Sequence, residues 1–308
     1  MEGKVKNEIV VGEPRDVYDR SGNKMTIIDV NDFPSMDLKP LVKCEPQEHF
    51  ENIRDLTIRD DDIVICGYSK AGTHWLWEVL NMLRNKTTEY KKDVKEKQMI
   101  EFLQKGDLDK EPSPRVLNTH LYPSLLPKQL LEKKTKLVYL IRNPKDTAVS
   151  LYFHFYGLQS MTSYKGDVHD FLDMYLHREL IFGTWFEYVL KWEKFLQTTD
   201  NPVYFLPYED MKENPVHHVK ELSKFLEMDV SDKLIEDIVE ACSFQNLKKA
   251  TEEQKHDPLK SLWIEGKSMY RKGQVGDWKN YFTVAENEEF DKVYQEKMKD
   301  SKLQFRYI

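Results

Sequence analysis

The chain has 308 residues and lacks the features that define several protein classes. Its three cysteines, Cys44, Cys66 and Cys242, are too few for a disulfide framework and do not have the spacing of a zinc site. No stretch approaches the roughly 20 apolar residues that span a membrane, and the amino terminus lacks an apolar segment of signal-peptide length. We therefore expect a cytoplasmic protein.

The chain also lacks an excess of positive charge. It has 46 Lys and Arg against 53 Asp and Glu, which gives a formal net charge of −7. Nucleic acids and anionic membranes require a broad basic surface, so we expect neither as a partner. Hydrophobic residues (40%) are abundant enough for a large core. The overall charge does not exclude a local basic pocket.

Short apolar runs alternate with helical patterns along the chain. Candidate strands cover residues 62–67, 137–142 and 203–210, and helical spacing follows each of them. This alternation predicts an α/β fold in which helices flank both faces of a parallel sheet, and such sheets bind ligands at the carboxyl ends of their strands. Residues 1–45 are polar and turn-rich, so we predict a partly irregular N-terminal extension before a single domain over residues 46–308.

The loop after the first candidate strand, GYSKAGTHW at residues 67–75, has the composition of an anion site. The start of a helix favours negative charge through its backbone N–H groups and its dipole. Lys70 adds a full charge, Gly72 permits close backbone approach and Thr73 adds a hydroxyl. The loop is not a Walker A motif, because Lys70 precedes Gly72. Considered alone, it is equally consistent with an ordinary turn that carries a solvated lysine.

Three segments together resemble the cytosolic sulfotransferases. The loop at 67–75 is similar to that family's 5′-phosphosulfate loop. Residues 142–150, RNPKDTAVS, resemble its 3′-phosphate signature, in which an arginine and a serine lie eight residues apart. Residues 270–279, YRKGQVGDWK, resemble its Arg-Lys-Gly-x-x-Gly-Asp-Trp-Lys signature. The order and separation of the three segments make coincidence a poor explanation.

This resemblance implies a P-loop-like fold and a reaction without a metal. The reaction would transfer a sulfuryl group from 3′-phosphoadenosine 5′-phosphosulfate (PAPS) to an alcohol, phenol or amine, leaving the bisphosphate PAP. Cys242 stands where many members carry threonine. The implied nucleotide-binding residues are Lys70, Ala71, Gly72, Thr73, His74, Trp75, Arg142, Ser150, Tyr208, Cys242, Phe244, Leu247, Met269, Tyr270, Arg271, Lys272 and Gly273.

The resemblance also implies the catalytic groups. His120 matches the family's general base, Lys70 would stabilise charge on the leaving phosphate, and the counterpart of Ser150 restrains that lysine until the acceptor arrives. The acceptor, a small and apolar or phenolic molecule, would contact Asn118, His120, Tyr122, Phe153 and Phe155.

One position departs from the pattern, because Asn118 stands where most members carry a lysine. Loss of that cation predicts a slower enzyme, with higher turnover when lysine is restored. It also leaves open a protein that binds PAPS or PAP with weak or no transferase activity. A P-loop kinase that uses ATP and magnesium is a third hypothesis, disfavoured by the missing Walker A lysine.

Residues 279–288, KNYFTVAENE, resemble the family's short dimer motif, Lys-x-x-x-Thr-Val-x-x-x-Glu. A mixed-sign segment with a central β-branched pair can pair with its own copy about a two-fold axis. We therefore predict a homodimer.

Overall fold

The computed structural model describes residues 8–38, 42–253, 262–265 and 269–306. Its strands are β1 (Arg15–Tyr18), β2 (Lys24–Val30), β3 (Phe33–Ser35), β4 (Ile63–Gly67), β5 (Val116–Thr119), β6 (Lys136–Ile141) and β7 (Val203–Pro207). Its α-helices are α1 (Pro46–Arg54), α2 (Thr73–Asn85), α3 (Lys128–Glu132), α4 (Pro144–Gly157), α5 (Gln159–Thr162), α6 (Val168–His177), α7 (Trp185–Leu196), α8 (Tyr208–Glu213), α9 (Pro215–Phe225), α10 (Asp232–Ala241), α11 (Phe244–Glu253) and α12 (Val284–Lys297).

The central sheet has four parallel strands in the order β5-β4-β6-β7. Ile65 on β4 lies opposite Asn118 on β5 and Val138 on β6, so these strands end at the same edge. The prediction of an α/β fold with a parallel sheet is confirmed. The candidate strand at 203–210 was predicted too long: β7 ends at Pro207, and α8 begins at Tyr208 with two acidic residues in its first turn, which favour a helix N-terminus.

Both faces of this sheet are buried. The side chains of β4 and β6 alternate between two hydrophobic cores: Val64 and Leu137 belong to one, Ile65 and Val138 to the other. This alternation follows from the two-residue period of a strand, and it explains why both strands are apolar throughout. The α-helices cover the two faces and leave the carboxyl edge for loops.

Residues 15–35 form a separate antiparallel sheet of three strands, β1-β2-β3. Met25, Ile27, Val30 and Phe33 are fully buried and belong to the same hydrophobic core as Val64. The boundary at residue 45 between an extension and a domain stays a prediction. No helix within the described ranges has the length and apolar character needed to cross a membrane.

Candidate active site

A cavity of about 540 Å³ lies at the carboxyl edge of the central sheet. It brings together most of the residues singled out from the sequence, although they come from segments up to 200 residues apart. Those in its lining are Lys70, Gly72, Thr73, His74, Trp75, His120, Arg142, Ser150, Phe155, Tyr208, Cys242, Phe244, Leu247, Met269, Tyr270, Arg271, Lys272 and Gly273.

The turn between β4 and α2 forms one wall. Gly72 is the N-cap of α2 and has a φ of 109°, a conformation that favours glycine. A Cβ at this position would lie 2.7 Å from Cδ2 of Tyr208, so a larger residue would also collide with an aromatic ring. The close packing of Tyr208 against the turn therefore requires glycine here. The free N–H groups at the start of α2 face this region.

Two cations lie close together beside this turn. Nη1 of Arg142 donates to the carbonyl oxygen of Lys70 over 3.1 Å, and its guanidinium carbon lies 4.6 Å from the ring centre of Tyr208. Nε of Arg142 is buried and, among the described residues, has no hydrogen-bond partner. Burial, followed by the charge of Arg142, lowers the pKa of Lys70 to about 7. An anion placed here would satisfy the free Nε and restore the lysine charge.

A second pair of cations comes from the loop after residue 269. Arg271 Nη2 lies 2.5 Å from Asp277 and Nη1 donates to the hydroxyl of Tyr281 over 3.1 Å. Lys272 Nζ donates to the other oxygen of Asp277 over 2.8 Å. One buried carboxylate thus holds both cations at the cavity.

The same loop is fastened to α4. The carboxylate of Asp146 accepts hydrogen bonds from the backbone N–H groups of Gly276 over 2.7 Å and Trp278 over 3.0 Å. Asp146 itself is held by the N-cap residue Asn143, whose side-chain amide donates to it over 3.0 Å. Residues of the second and third signatures therefore form one unit, with Asp146 as the link.

Aromatic rings flank the cavity on two sides. Trp75 and Tyr208 meet edge to face with ring centres 5.7 Å apart. Phe244 lies 6.2 Å from Tyr270, and a Cβ at Gly273 would approach Phe244 to 2.3 Å. Such flat apolar surfaces suit a purine ring.

His120 has a fixed orientation. Its Nδ1 lies 2.6 Å from the carbonyl oxygen of Gly67. Because a carbonyl can only accept, Nδ1 carries the proton and Nε2 of the neutral ring has the free lone pair. Its backbone N–H donates to Glu101. Burial, with the nearby charge of Lys95 as the second cause, lowers the pKa of His120 to about 3, so the ring is neutral at physiological pH.

Four of the predicted residues lie outside the cavity lining. Ala71 is buried in the core on one face of the sheet. Tyr122 is buried beside Phe33, with ring centres 5.0 Å apart. Phe153 supports the guanidinium of Arg271, which lies 4.8 Å from its ring centre. Asn118 is buried and hydrogen-bonded to the turn at residues 95–98.

The cavity also contains residues that the sequence did not single out. They include Lys95, Glu96, His154 and Lys212 among the polar groups. Lys95 and Glu96 come from the segment KKDVKEK, whose composition is typical of a solvated surface turn. A single sequence contains no signal that would distinguish Lys95 from the neighbouring lysines.

The charge of the cavity differs from that of the whole chain. Six cationic side chains stand in its described lining against two carboxylates, Glu96 and Glu240. The whole chain has a net charge of −7. Within the described ranges, no group of three or more His, Cys, Asp or Glu side chains could hold a metal ion. The geometry is that of a site for an anionic ligand with an aromatic part.

Comparison with known proteins identifies the family. The family model of the sulfotransferase domain, a description of the sequences in that family, matches residues 60–302 of this chain. The chain belongs to the sulfotransferase family. The predicted enzyme class, a PAPS-dependent sulfotransferase, is confirmed.

Individual relatives are similar to this sulfotransferase over most of its length. It is 38% identical to sulfotransferase 1B1 of Canis lupus familiaris over 84% of its own length and 90% of that protein. It is also 38% identical to sulfotransferase 1E1 of Bos taurus, again over 84% and 90% of the two chains. Its fold matches the crystal structure of mouse sulfotransferase SULT7A1 complexed with PAP, with a TM-score of 0.70 and 32% identity over 83% of this chain and 91% of that one.

Proposed function

We propose that this sulfotransferase moves a sulfuryl group from PAPS to a hydroxyl or amine of a small, apolar or phenolic acceptor. The observation that carries the proposal is the orientation of His120, whose Nδ1 lies 2.6 Å from the carbonyl oxygen of Gly67 and whose Nε2 is left as a base. The reaction is an in-line displacement: the acceptor oxygen attacks the sulfur while His120 Nε2 takes its proton. The bond between sulfur and the 5′-phosphate oxygen breaks, and that oxygen keeps the electron pair.

The chain's own residues would hold the donor by its two anionic ends. Lys70 and the N-terminus of α2 suit the 5′-phosphosulfate, where the lysine also stabilises charge on the leaving oxygen. Arg142, Ser150 and Arg271 suit the 3′-phosphate, since guanidinium groups bind phosphate through two parallel hydrogen bonds. The unpartnered Nε of Arg142 supports this assignment. ATP has no 3′-phosphate, which is why this arrangement disfavours the kinase hypothesis.

The apolar part of the cavity lining supports an apolar or phenolic acceptor. Apolar side chains from several segments line the cavity, and one of them, Phe182, lies 5.3 Å from the ring of His120, centre to centre. Methionine side chains adapt to irregular ligands, and aromatic rings favour flat ones. The apolar residues in the lining include Met36, Met99, Phe102, Phe155, Leu158, Met161, Ile181 and Phe182.

Two measurements test the proposal. A labelled-PAPS assay against phenols, steroid alcohols, aliphatic alcohols and amines should give product with phenols or apolar alcohols. Calorimetric titration should show binding of PAP but much weaker binding of ATP, with or without magnesium. Nucleotide binding without product from any acceptor would favour a binding protein, and preferential binding of ATP would favour the kinase hypothesis.

We also propose that two copies associate through residues 279–288. Val284, in the first turn of α12, is 76% exposed, and it is the most exposed large hydrophobic residue in the described part of the chain. A capping box between Thr283 and Glu286 fixes the backbone around it. An exposed apolar group on a rigid helix start suits a self-complementary contact. Light scattering should give a dimer at micromolar concentration and a monomer for Val284→Asp; a monomeric wild-type mass would refute the proposal.

A further inference from the structure

The side chain of Asn118 is fully engaged away from the cavity. Its Nδ2 donates to the backbone carbonyls of Gln98 over 3.0 Å and Lys95 over 3.3 Å. Its Oδ1 accepts from the ammonium of Lys95 over 2.5 Å. An amide has two donors and an acceptor oxygen, so these contacts determine its orientation. Asn118 therefore ties the turn at residues 95–98 to β5 and holds the Lys95 side chain in place.

Lys95 is a buried cation that lines the cavity together with Lys70 and His120. It is only 2% exposed, although lysines are rarely buried without a partner. Among the described residues, no carboxylate lies within 4 Å of its Nζ, and Asn118 Oδ1 is the one hydrogen-bond acceptor it has. An ammonium has three donors.

The charge of Lys95 acts on its neighbours in the cavity. The charge of Lys95 contributes to the lowered pKa of Lys70, after burial and Arg142, and to that of His120, after burial. Those two residues would face opposite ends of the transferring group. A buried cation without a carboxylate partner is costly, and an anion in the cavity would offset that cost.

We propose that the ammonium of Lys95, positioned by Asn118, is the cation that binds the transferring sulfuryl group in this enzyme. This role rests on the proposed sulfuryl transfer. Asn118 stands where most members of the family carry a lysine, and Lys95 would supply the positive charge that is absent from position 118. The cation would come from a different segment, 23 residues earlier. Asn118 would be a positioning residue with no direct contact to the donor.

The role of Lys95 in the reaction is electrostatic. Its ammonium would donate hydrogen bonds to a non-transferred oxygen of the sulfuryl group while the sulfur passes from the phosphate oxygen to the acceptor oxygen. The acceptor proton goes to His120 Nε2, the breaking bond leaves its electron pair on the phosphate, and Lys95 keeps all of its protons. Its contribution grows as charge spreads over the sulfuryl oxygens.

This arrangement reverses the expectation for lysine at position 118. Asn118→Lys would remove the acceptor for the Lys95 ammonium and add a second cation beside it. Like charges in a buried site repel, so the single variant should be slower than the wild type rather than faster. The double variant Lys95→Met/Asn118→Lys removes the lysine at position 95 and adds one at position 118, so it should again present one cation.

The test measures kcat with labelled PAPS, and the affinities for PAPS and PAP without acceptor. Lys95→Met should lower kcat on the order of 10²–10³-fold, the range for removal of one such donor. Affinity for PAP should change less than about threefold, because PAP has no sulfuryl group, whereas affinity for PAPS should fall, so that the ratio of PAPS affinity to PAP affinity is lower than in the wild type. The double variant should recover to within about tenfold of the wild type. The matched control is Lys97→Met, which removes an exposed lysine from the same turn, and it should behave as the wild type.

Each contrary result has a clear meaning. Wild-type kcat in Lys95→Met, or a double variant no faster than either single variant, would overturn the proposal. If the wild type transfers no sulfuryl group to any acceptor, the proposed function fails. The PAPS and PAP affinities then decide this inference, and a ratio of the two affinities in Lys95→Met that equals the wild-type ratio overturns it. Thermal melting checks that the variants fold.

Discussion

The end of β4 and the end of β5 face the same cavity but are built in different ways. After β4, one continuous stretch, residues 67–75, turns into α2, and its backbone and Lys70 form the wall. At β5, His120 directly follows the last strand residue, while the adjoining cation Lys95 comes from a turn that Asn118 fastens to the strand. The first is made by local backbone geometry and the second by side-chain contacts between distant segments.

We expect this difference in construction to correspond to two tasks of the enzyme, nucleotide binding and group transfer. The β4 turn presents N–H groups that suit an anion in the ground state, so defects in its backbone should appear as weaker nucleotide binding, whereas loss of Lys70, the proposed stabiliser of the leaving oxygen, should affect both binding and turnover. The β5 end presents the proposed base His120 and the buried cation Lys95, which would act on the reacting atoms, so its defects should appear in turnover. Variants that break this division would show that the two ends are not independent.

The largest effect is expected at the β5 end, from His120→Ala. Loss of the proposed base should lower kcat by roughly 10²–10⁴-fold, the usual contribution of general acid–base catalysis. Affinity for PAP, measured by calorimetry, should stay within about threefold, because His120 in its proposed role would face the acceptor. His217→Ala, which removes an exposed histidine of α9, is the control and should leave both values unchanged. A parallel loss of PAP affinity in His120→Ala would contradict the division.

A smaller effect is expected at the β4 turn, from Gly72→Ala. An L-residue in the left-handed region costs about 1–2 kcal/mol, and the new Cβ would also collide with Tyr208. The turn should therefore shift, and affinity for PAP should fall about tenfold or more, since 1.4 kcal/mol corresponds to a factor of ten.

Gly22→Ala is the matched control for this substitution. Gly22 also has a positive φ, 86°, but a Cβ there would meet no atom within 4 Å. It should therefore lose about 1 kcal/mol of folding stability through backbone strain and bind PAP as the wild type does. Equal PAP affinity in Gly72→Ala and Gly22→Ala would show that the turn does not hold the nucleotide.

The smallest effect concerns the protonation of Lys70. Its pKa is lowered to about 7 by burial and by Arg142, and a bound anion should raise it. Below pH 7 the lysine is charged in the free and bound protein, whereas above pH 7 binding must take up a proton. PAP affinity should therefore fall about tenfold between pH 7 and 8.5, with up to one proton taken up per PAP at pH 8. Calorimetry in buffers of different ionisation enthalpy measures this uptake.

Lys70→Met provides the control for this measurement. It should bind PAP more weakly and with little proton uptake above pH 7, because the phosphate groups are already fully ionised there. Proton uptake of the same size in wild type and variant would assign the titration to another group.

Some of the residues predicted for the site line the cavity and others do not, and this difference has a physical cause. Arg142, Arg271 and Gly72 were identified because each belongs to a contiguous segment with a recognisable composition. Tyr122 and Phe153 were predicted at the acceptor because they follow or surround such segments, but Tyr122 packs in the core beside Phe33 and Phe153 packs against the guanidinium of Arg271. Neighbourhood in sequence says little about which direction a side chain faces.

The sequence by itself determined the parallel α/β sheet, the places of three of its strands and three segments that line the cavity, because these depend on local apolar periodicity, on turn residues and on contiguous motifs. Only the tertiary structure decided which cations meet at the cavity and which residues are buried away from it. Lys95 and Asn118 are 23 positions apart, and no local pattern encodes their 2.5 Å contact. The acidic chain of net charge −7 thus encloses a cationic site, because charge in a folded protein is set by which side chains converge and not by their sum.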